Sequence, residues 1–413
     1  MLSIKFYLCC ISYLLNSTIY SVSSFNLSIL SKSAGFDVKH FYLLYGVYIF
    51  RFFGGVIWSV VGSNFAIFKE VMAICIVSYN ITILNMVLLP NCVDGCIFMP
   101  LLLNQLVSVF FSSGLFPVFD QICIHYVKNE FGIIKLCGSL GIATSHILGI
   151  VMPMFLTEKY YTQHLGIIKY FTSTFFLPFL LLFIYSANIK TFNEKKATSE
   201  NKKTFNGKFI IFYLSIICLG FVRCALTDSL TFYYEQVGFN FSSTHKIFFL
   251  RLIVESISFY IIPYVENNFS INFLYSLSFI FVSLKTFLYG FYNINSRNLI
   301  FSESCGAISS AILAFTSTRL VDEIFQSTYR YILIPLYYGT LNGISFSIFS
   351  VIMFNLWEKQ NFIFEGNKFR ALFLFSSFIG IIGVLLFFIF NYLNKETKDK
   401  EFLETKKYTI DFK

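Results

Sequence analysis

The chain has 413 residues, of which 56% are hydrophobic and only 13% charged, and its mean hydropathy is +0.69. Soluble proteins carry about 25% charged residues, so this composition excludes an ordinary soluble domain. The net charge of +9 is compatible with nucleic acid or anionic lipid, but most basic residues lie in two segments that we interpret as topology signals. No nucleic-acid partner is therefore predicted.

Apolar runs long enough to cross a bilayer recur along the whole chain. A hydrocarbon core of about 30 Å needs roughly 20 helical residues. The first run follows Lys5 and lacks a clear small-residue cleavage site, so we interpret it as an uncleaved membrane helix. We predict an all-α membrane protein with twelve transmembrane helices, at about residues 4–30, 41–62, 66–89, 97–124, 134–156, 166–188, 208–230, 245–265, 272–291, 298–317, 332–355 and 371–393.

The twelve predicted helices fall into two groups of six, separated by the polar stretch NIKTFNEKKATSENKKTFNGK. We predict an N-terminal six-helix bundle at 1–188, a cytoplasmic linker at 189–207, a C-terminal six-helix bundle at 208–394 and a cytoplasmic tail at 395–413. The predicted inner loops hold about twice as many Lys and Arg residues as the outer loops, which places both termini in the cytoplasm. No retention or lipidation signal indicates whether this is the plasma membrane or an organellar one.

The segment FPVFDQICIHYVKNEFGIIKLCGSLGIA spans predicted helices four and five. It resembles the pattern P-x-x-D…(Y/F)-G-x-x-R-x-W-G-S-x-G of the lactose-permease-like branch of the major facilitator superfamily. Lys135 replaces the usual Arg and Cys137 the usual Trp. The resemblance implies the superfamily's fold, and it implies that Asp120 and Lys135 bind substrate. The matching positions are Pro117, Asp120, Phe131, Gly132, Gly138, Ser139 and Gly141, of which the last three also form a small-residue face for helix packing.

Four stretches of the C-terminal half resemble the same branch: VESISFYIIP, SLKTFLYGF, IFSESCGAISSAILAFTS and LYYGTLNGISFSIFSVIMFNLWEKQ. In lactose permease an acid on helix eight, a base on helix nine and an acid on helix ten serve substrate binding and proton coupling. The resemblance assigns proton coupling to Glu255, Lys285 and Glu303. One motif departs from the superfamily: its G-x-x-x-D-R loop should follow helix two, but Gly62, Ser63 and Asn64 stand there instead.

Charges inside a membrane helix cost about 2.5–3.5 kcal/mol each, so they tend to face protein or water and to mark function. Arg223, Arg251, Lys285 and Glu303 lie at similar predicted depth, and Asp228 lies closer to the outside. We predict that Arg223, Asp228 and Arg251 join Asp120 and Lys135 in binding substrate. A buried ion-pair network that only fixes helix register is the alternative, since such pairs often add little net stability.

Arg251 and Glu255 are spaced i, i+4 in the order that stabilises a helix less, so we expect at least one of them to pair across helices. Arg51 either binds an anionic group or snorkels to the interface, and we favour snorkelling. The five histidines show no ligand spacing, so no metal site is predicted: His40, His125, His146, His164 and His245.

The sequence contains no phosphate-binding loop, nucleophile elbow or metal cluster, so neither an enzyme nor a cofactor is predicted. The leading hypothesis is a secondary carrier that moves a small polar solute by alternating access, with protons and the lipid bilayer as its other partners. Sugar, nucleoside, small carboxylate and peptide all remain open, as does symport against antiport. The alternative is a transport-inactive receptor or scaffold, which the missing Asp-Arg pair keeps open.

Overall fold

The structure is a computed structural model that describes residues 4–24, 38–64, 67–88, 98–126, 130–151, 154–155, 158–186, 208–292, 296–325, 330–358 and 368–410. This part of the chain is helical and contains no strand. Its α-helices are α1 (Ile4–Ser24), α2 (Val38–Gly46), α3 (Ile49–Asn64), α4 (Phe68–Leu88), α5 (Phe98–Ser112), α6 (Leu115–Tyr126), α7 (Phe131–Val151), α8 (Glu158–Ser186), α9 (Lys208–Gln236), α10 (Phe241–Glu266), α11 (Ile271–Phe291), α12 (Ser296–Phe325), α13 (Arg330–Gly339), α14 (Ser345–Glu358) and α15 (Lys368–Ile410).

Ten segments of the described chain are long and apolar enough to cross a membrane, and α8 contains a shorter apolar stretch, Tyr170–Leu182. With α1, these segments lie at the twelve predicted positions, which confirms an all-α, multi-pass membrane protein. The predicted linker at 189–207 lies outside the described residues. The ten segments are Tyr42–Gly62, Phe68–Asn85, Phe98–Asp120, Phe131–Val151, Phe209–Gln236, Ser242–Glu266, Ile271–Phe291, Asn298–Val321, Ile332–Leu356 and Lys368–Lys395.

Several helices differ from their predicted course. The last helix, α15, continues through most of the predicted tail and ends at Ile410. The second predicted span is divided into α2 and α3, and the fourth into α5 and α6. The eleventh contains a π-helical turn, Thr340–Ile344, in which the Ser345 hydroxyl donates to the Thr340 carbonyl at 2.7 Å. Such turns often occur at functional sites, and this one lies beside the cavity described below.

Glycines allow α1 and α7 to pack closely. A Cβ atom on Gly141 would lie 2.4 Å from the Leu14 carbonyl oxygen, and one on Gly138 would lie 2.5 Å from the Tyr13 ring. Because neither position has room for a side chain, the two helices approach as small-residue membrane interfaces do. This contact agrees with the face predicted from the sequence, and it brings Tyr13 beside Lys135.

The two halves of the chain meet along several pairs of helices, among them α7 with α10, α3 with α13, α2 with α14 and α6 with α13. Close approach again depends on glycine, since a Cβ atom on Gly339 would lie 2.7 Å from the Phe52 Cα atom. Successive spans alternate in direction along the chain. We call the end of the bundle where α1 begins the near side, and the end where α1 finishes the far side.

Candidate functional site

A cavity of about 200 Å³ lies between the two halves of the chain. Both halves contribute charged and hydroxyl-bearing side chains to its wall, and apolar side chains fill the spaces between them. It is therefore a mixed polar and apolar site, of the kind that small molecules occupy. The lining residues are Tyr13, Ser17, Phe116, Lys135, Gly138, Ser139, Ile142, Arg223, Glu255, Phe259, Ser310, Leu313, Ala314, Ser317, Tyr338, Leu341 and Asn342.

Asp120 and Lys135 form a buried ion pair on the near side of the cavity. The Lys135 ammonium lies 2.7 and 2.8 Å from the two carboxylate oxygens of Asp120, and it also donates to the Tyr13 hydroxyl at 2.6 Å. Tyr13 donates to Asp120 Oδ1 at 3.0 Å, and Tyr338 of the other half donates to Oδ2 at 2.5 Å. The carboxylate thus receives donors from both halves, and this cluster joins them.

A second ion pair, between Lys285 of α11 and Glu303 of α12, is almost completely buried. Lys285 is 0% exposed and Glu303 is 1% exposed, and the ammonium lies 2.7 Å from Glu303 Oε1. Two tyrosine hydroxyls donate to the same oxygen, Tyr289 at 2.6 Å and Tyr234 at 2.9 Å. Gly306 makes room for the lysine, because a Cβ atom there would lie 2.6 Å from Lys285 Cδ.

The other carboxylate oxygen of Glu303 faces Arg251, whose Nε atom lies 4.0 Å away. This oxygen has no hydrogen-bond partner among the described residues. The Arg251 guanidinium donates instead to the Ser310 hydroxyl at 2.9 Å, and Ser310 lines the cavity. Arg251 therefore connects the buried carboxylate to the cavity wall.

Arg223 and Glu255 also line the cavity, but they are arranged differently from the paired charges. Within the described part of the chain, neither side chain has an oppositely charged group within 4.0 Å or a side-chain hydrogen bond. Arg223, Arg251 and Lys285 all lie close enough to act on the charge of Glu255. Two opposite charges thus stand on the wall of one cavity without binding each other.

The predicted proton-coupling trio is therefore divided. Lys285 and Glu303 meet in the protein interior, whereas Glu255 stands on the cavity wall. Arg251 approaches Glu303 on α12 rather than Glu255 on its own helix, α10, because α10 packs directly on α12. Of the predicted substrate-binding residues, Lys135 and Arg223 line the cavity. For Asp228 the structure describes only the backbone, within α9.

Arg51 does not snorkel as we expected. Its guanidinium donates to the Tyr20 hydroxyl at 2.9 Å and lies 4.2 Å from the centre of the Tyr48 ring. A guanidinium stacks well on aromatic faces, and these two tyrosines offer a closer partner than the membrane surface. This contact could not be predicted from the sequence, because Tyr20 is 31 positions away from Arg51.

A histidine pair on the far side was not predicted from the sequence. His146 of α7 and His245 of α10 lie with their Nδ1 atoms 3.1 Å apart, both buried, although 99 residues separate them. The hydroxyls of Tyr42 and Ser229 lie 3.0 Å apart, also on the far side and between the halves. Among the described residues, no three His, Cys, Asp or Glu side chains converge as metal ligands would.

Comparisons with known proteins agree with this architecture. The sequence model of the MFS_1 like family matches residues 10–365. No curated protein sequence matches the chain. Solved structures with the same fold include a variant of the nucleoside transporter NupG, with 15% identity, a TM-score of 0.67, and coverage of 94% of this chain and 100% of that one.

Two other solved structures are similar to a comparable degree. The human organic anion transporter MFSD10 (TETRAN) has 12% identity and a TM-score of 0.67, and the match covers 94% of this chain and 100% of that one. A variant of the E. coli fucose:proton symporter FucP has 11% identity and a TM-score of 0.66, with coverage of 94% and 98%. At these identities the likeness shows a shared fold.

Proposed function

This chain belongs to the MFS_1 like family, and from that premise we propose that it moves a small polar solute across a membrane together with protons. It is a secondary transporter, embedded in the membrane by many helices, and not an enzyme. A proton symporter by name is among its structural neighbours, which supports the choice of protons as the coupled ion. Two properties are our proposal: that transport is symport with protons, and that the solute is small and polar.

The observation that carries the proposal is the buried Glu303 carboxylate. A charge in a membrane helix is costly unless it is paired, so such groups are retained mainly where they function or fix the fold. Glu303 combines a cation, two hydroxyl donors and one oxygen without a hydrogen-bond partner among the described residues. That oxygen faces Arg251, which reaches the cavity through Ser310. Protonation of Glu303 can therefore change the position of Arg251 at the wall of the solute site.

We propose the following coupling. When Glu303 is ionised, it holds Lys285 and Arg251 by charge attraction. A proton that binds to Glu303 removes this attraction and leaves two cations without their counter-charge. Arg251 is then free to leave its position between Glu303 and Ser310, which changes the cavity wall. Proton binding and solute binding thus bias the same side chain, which is the requirement for thermodynamic coupling between two sites.

Contacts at both ends of the cavity support alternating access. On the near side, Tyr338 and Asp120 join the two halves. On the far side, His146 meets His245, and Tyr42 meets Ser229. We propose that these contacts break in turn, so that the cavity opens to one side at a time. A rigid-body rocking of two helix bundles around a central site is the usual form of such a cycle.

The direct test is solute-driven proton movement in liposomes. We expect that the purified full-length protein, with a pH-sensitive dye inside the liposomes, acidifies the lumen when a transported solute is added outside. The probes are a neutral amino acid, a hexose, a small carboxylate and a nucleoside, each added singly. Protein-free liposomes are the control. If no probe moves protons or accumulates under a pH gradient, the receptor or scaffold alternative replaces the transporter proposal.

A cross-link on the far side tests alternating access. His146→Cys combined with His245→Cys places two thiols where the histidines touch. A short bis-methanethiosulfonate reagent should join them, hold α7 against α10, and reduce transport to the level of protein-free liposomes, and a reductant should restore it. Each single variant, treated with the same reagent, serves as the matched control and should keep its activity. Full transport by the cross-linked protein would show that these helices need not separate.

A further inference from the structure

Among the described residues, the cavity wall carries one cation and one anion that form no ion pair within 4.0 Å. Arg223 comes from α9 and Glu255 from α10, and both side chains are half-buried against the cavity. Among the described residues they have no ion pair within 4.0 Å, although each lies within electrostatic range of the other. The other described charges of this region are engaged: Lys135 with Asp120, Lys285 with Glu303, and Arg251 with Ser310 and Glu303.

Such an arrangement is unfavourable without a ligand. A charge held partly away from water is costly unless it is paired, and opposite charges in a low-dielectric site attract strongly. Their failure to meet means that the positions of α9 and α10 hold them apart. A ligand that supplied the missing counter-charge to each would remove both costs at once. Hydrogen bonds to charged groups are also among the stronger ones in proteins.

The cavity has room for the rest of the ligand beside its charged groups. A cavity of about 200 Å³ is large enough for a small organic solute. Apolar side chains, among them Phe259, Leu313 and Leu341, form another part of the wall, so the ligand also has a place for a small apolar group.

From these observations we infer that the transported solute is a small zwitterion of the amino-acid type. Its carboxylate binds the Arg223 guanidinium, its ammonium group binds the Glu255 carboxylate, and its side chain lies against the apolar wall. This inference rests on the proposed transport function and names its substrate class. It also gives Glu255 a role in solute binding rather than in carrying the proton, which Glu303 carries.

Other solutes fit the wall less well. A neutral sugar would offer hydroxyl groups to both charges but neutralise neither of them. A simple carboxylate would satisfy Arg223 and bring a second negative charge near Glu255, whereas a simple amine would do the reverse. Because each mismatch leaves Arg223 or Glu255 without a directly bound counter-charge, the zwitterion should be preferred over analogues that lack either group.

The test is a binding measurement on the full-length protein in detergent, with L-leucine and two analogues that each lack one charged group. 4-Methylpentanoate lacks the ammonium, and 3-methylbutylamine lacks the carboxylate. We expect L-leucine to bind roughly 10- to 100-fold more tightly than either analogue, the range for a hydrogen bond to a charged group. L-alanine and L-serine are included in case the apolar wall favours a smaller side chain, and D-glucose is the uncharged control.

Two variants test which charged group of the ligand binds Arg223 and which binds Glu255. Arg223→Gln should abolish the preference for leucine over 3-methylbutylamine, and Glu255→Gln should abolish the preference for leucine over 4-methylpentanoate. Arg223→Lys and Glu255→Asp retain the charges and should retain a measurable preference, which separates a binding role from a fold defect. All four variants are first compared with the wild type for their thermal unfolding midpoint.

The possible results are distinct. Equal affinity for leucine and both analogues, saturable binding of D-glucose with none of the three amino acids, or no saturable binding of any of these probes would overturn the inference. Unchanged preferences in both Gln variants would also overturn it. Binding needs no gradient, so amino-acid binding without transport in liposomes would contradict the transport proposal and leave the zwitterion site in place. Transport of a hexose without amino-acid binding would support the transport proposal and overturn the zwitterion site.

Discussion

Replacing Glu303 with Gln should abolish accumulation of solute under a pH gradient while exchange of solute across the membrane continues. The amide nearly keeps the shape of the carboxyl group and can still accept from Tyr234 and Tyr289, but it cannot carry a proton. Exchange needs no net proton movement, so it survives the loss of the titrating group. In liposomes the inside-to-outside solute ratio should fall to about one, whereas counterflow, expressed per amount of folded protein, should stay within a few-fold of the wild type.

Glu266→Gln is the matched control for this experiment. Glu266 forms an ion pair with Arg319 at the near-side end of α10, away from the Glu303 pair. Its replacement should leave gradient-driven accumulation in place. Glu255→Gln should behave in a third way, with weaker solute binding but with coupling retained at saturating solute. If Glu303→Gln still accumulates solute against a gradient, the proton is carried elsewhere, and Asp120 is the next candidate.

Replacing Lys135 with Met should destabilise the protein by about 3–5 kcal/mol, the range found when one partner of a buried ion pair is removed. Asp120 is 0% exposed and Lys135 is 6% exposed, so solvent cannot take over the lost interaction. Tyr13 and Tyr338 would still donate to the carboxylate, but they bring no positive charge. The thermal unfolding midpoint in detergent should fall well below that of the wild type.

The double variant distinguishes an unpaired charge from a packing defect. Asp120→Asn together with Lys135→Met removes both charges and keeps one acceptor oxygen for the tyrosines. It should recover more than half of the stability that Lys135→Met loses, because replacing both partners of a buried pair is often nearly neutral. Lys246→Met, at an exposed lysine, is the control for removing a lysine. A double variant less stable than Lys135→Met would show that the pair itself stabilises the fold.

The order and number of the membrane segments could be predicted from the sequence because the bilayer imposes a length. About 20 apolar residues are needed for each span whatever the helix packs against, so hydropathy identified the segments one by one. The breaks inside them were not predictable in this way. The π-helical turn at Thr340–Ile344 contains no proline and depends on local hydrogen bonds and on the packing of Gly343 against Phe52.

The charged residues of the candidate site could be predicted from the sequence, but their pairing could be predicted only in part. The cost of charge in a membrane indicates that Lys285 and Glu303 face the interior, and a family resemblance pointed to Asp120 and Lys135. The tyrosines that donate to the carboxylates were not predicted. Tyr289 lies one turn beyond Lys285 in the stretch SLKTFLYGF, and that spacing could have identified it.

The sequence alone thus determined that this protein crosses the membrane many times and carries charged residues at membrane depth, because both follow from the chemistry of each segment taken separately. Only the tertiary structure decided which charges pair and which remain available. Glu255 could equally have joined Lys285, and His146 could have lain far from His245. Those outcomes depend on how α10 is rotated and placed against α7, α9 and α12. The spacing of residues along one helix does not determine the distances between separate helices.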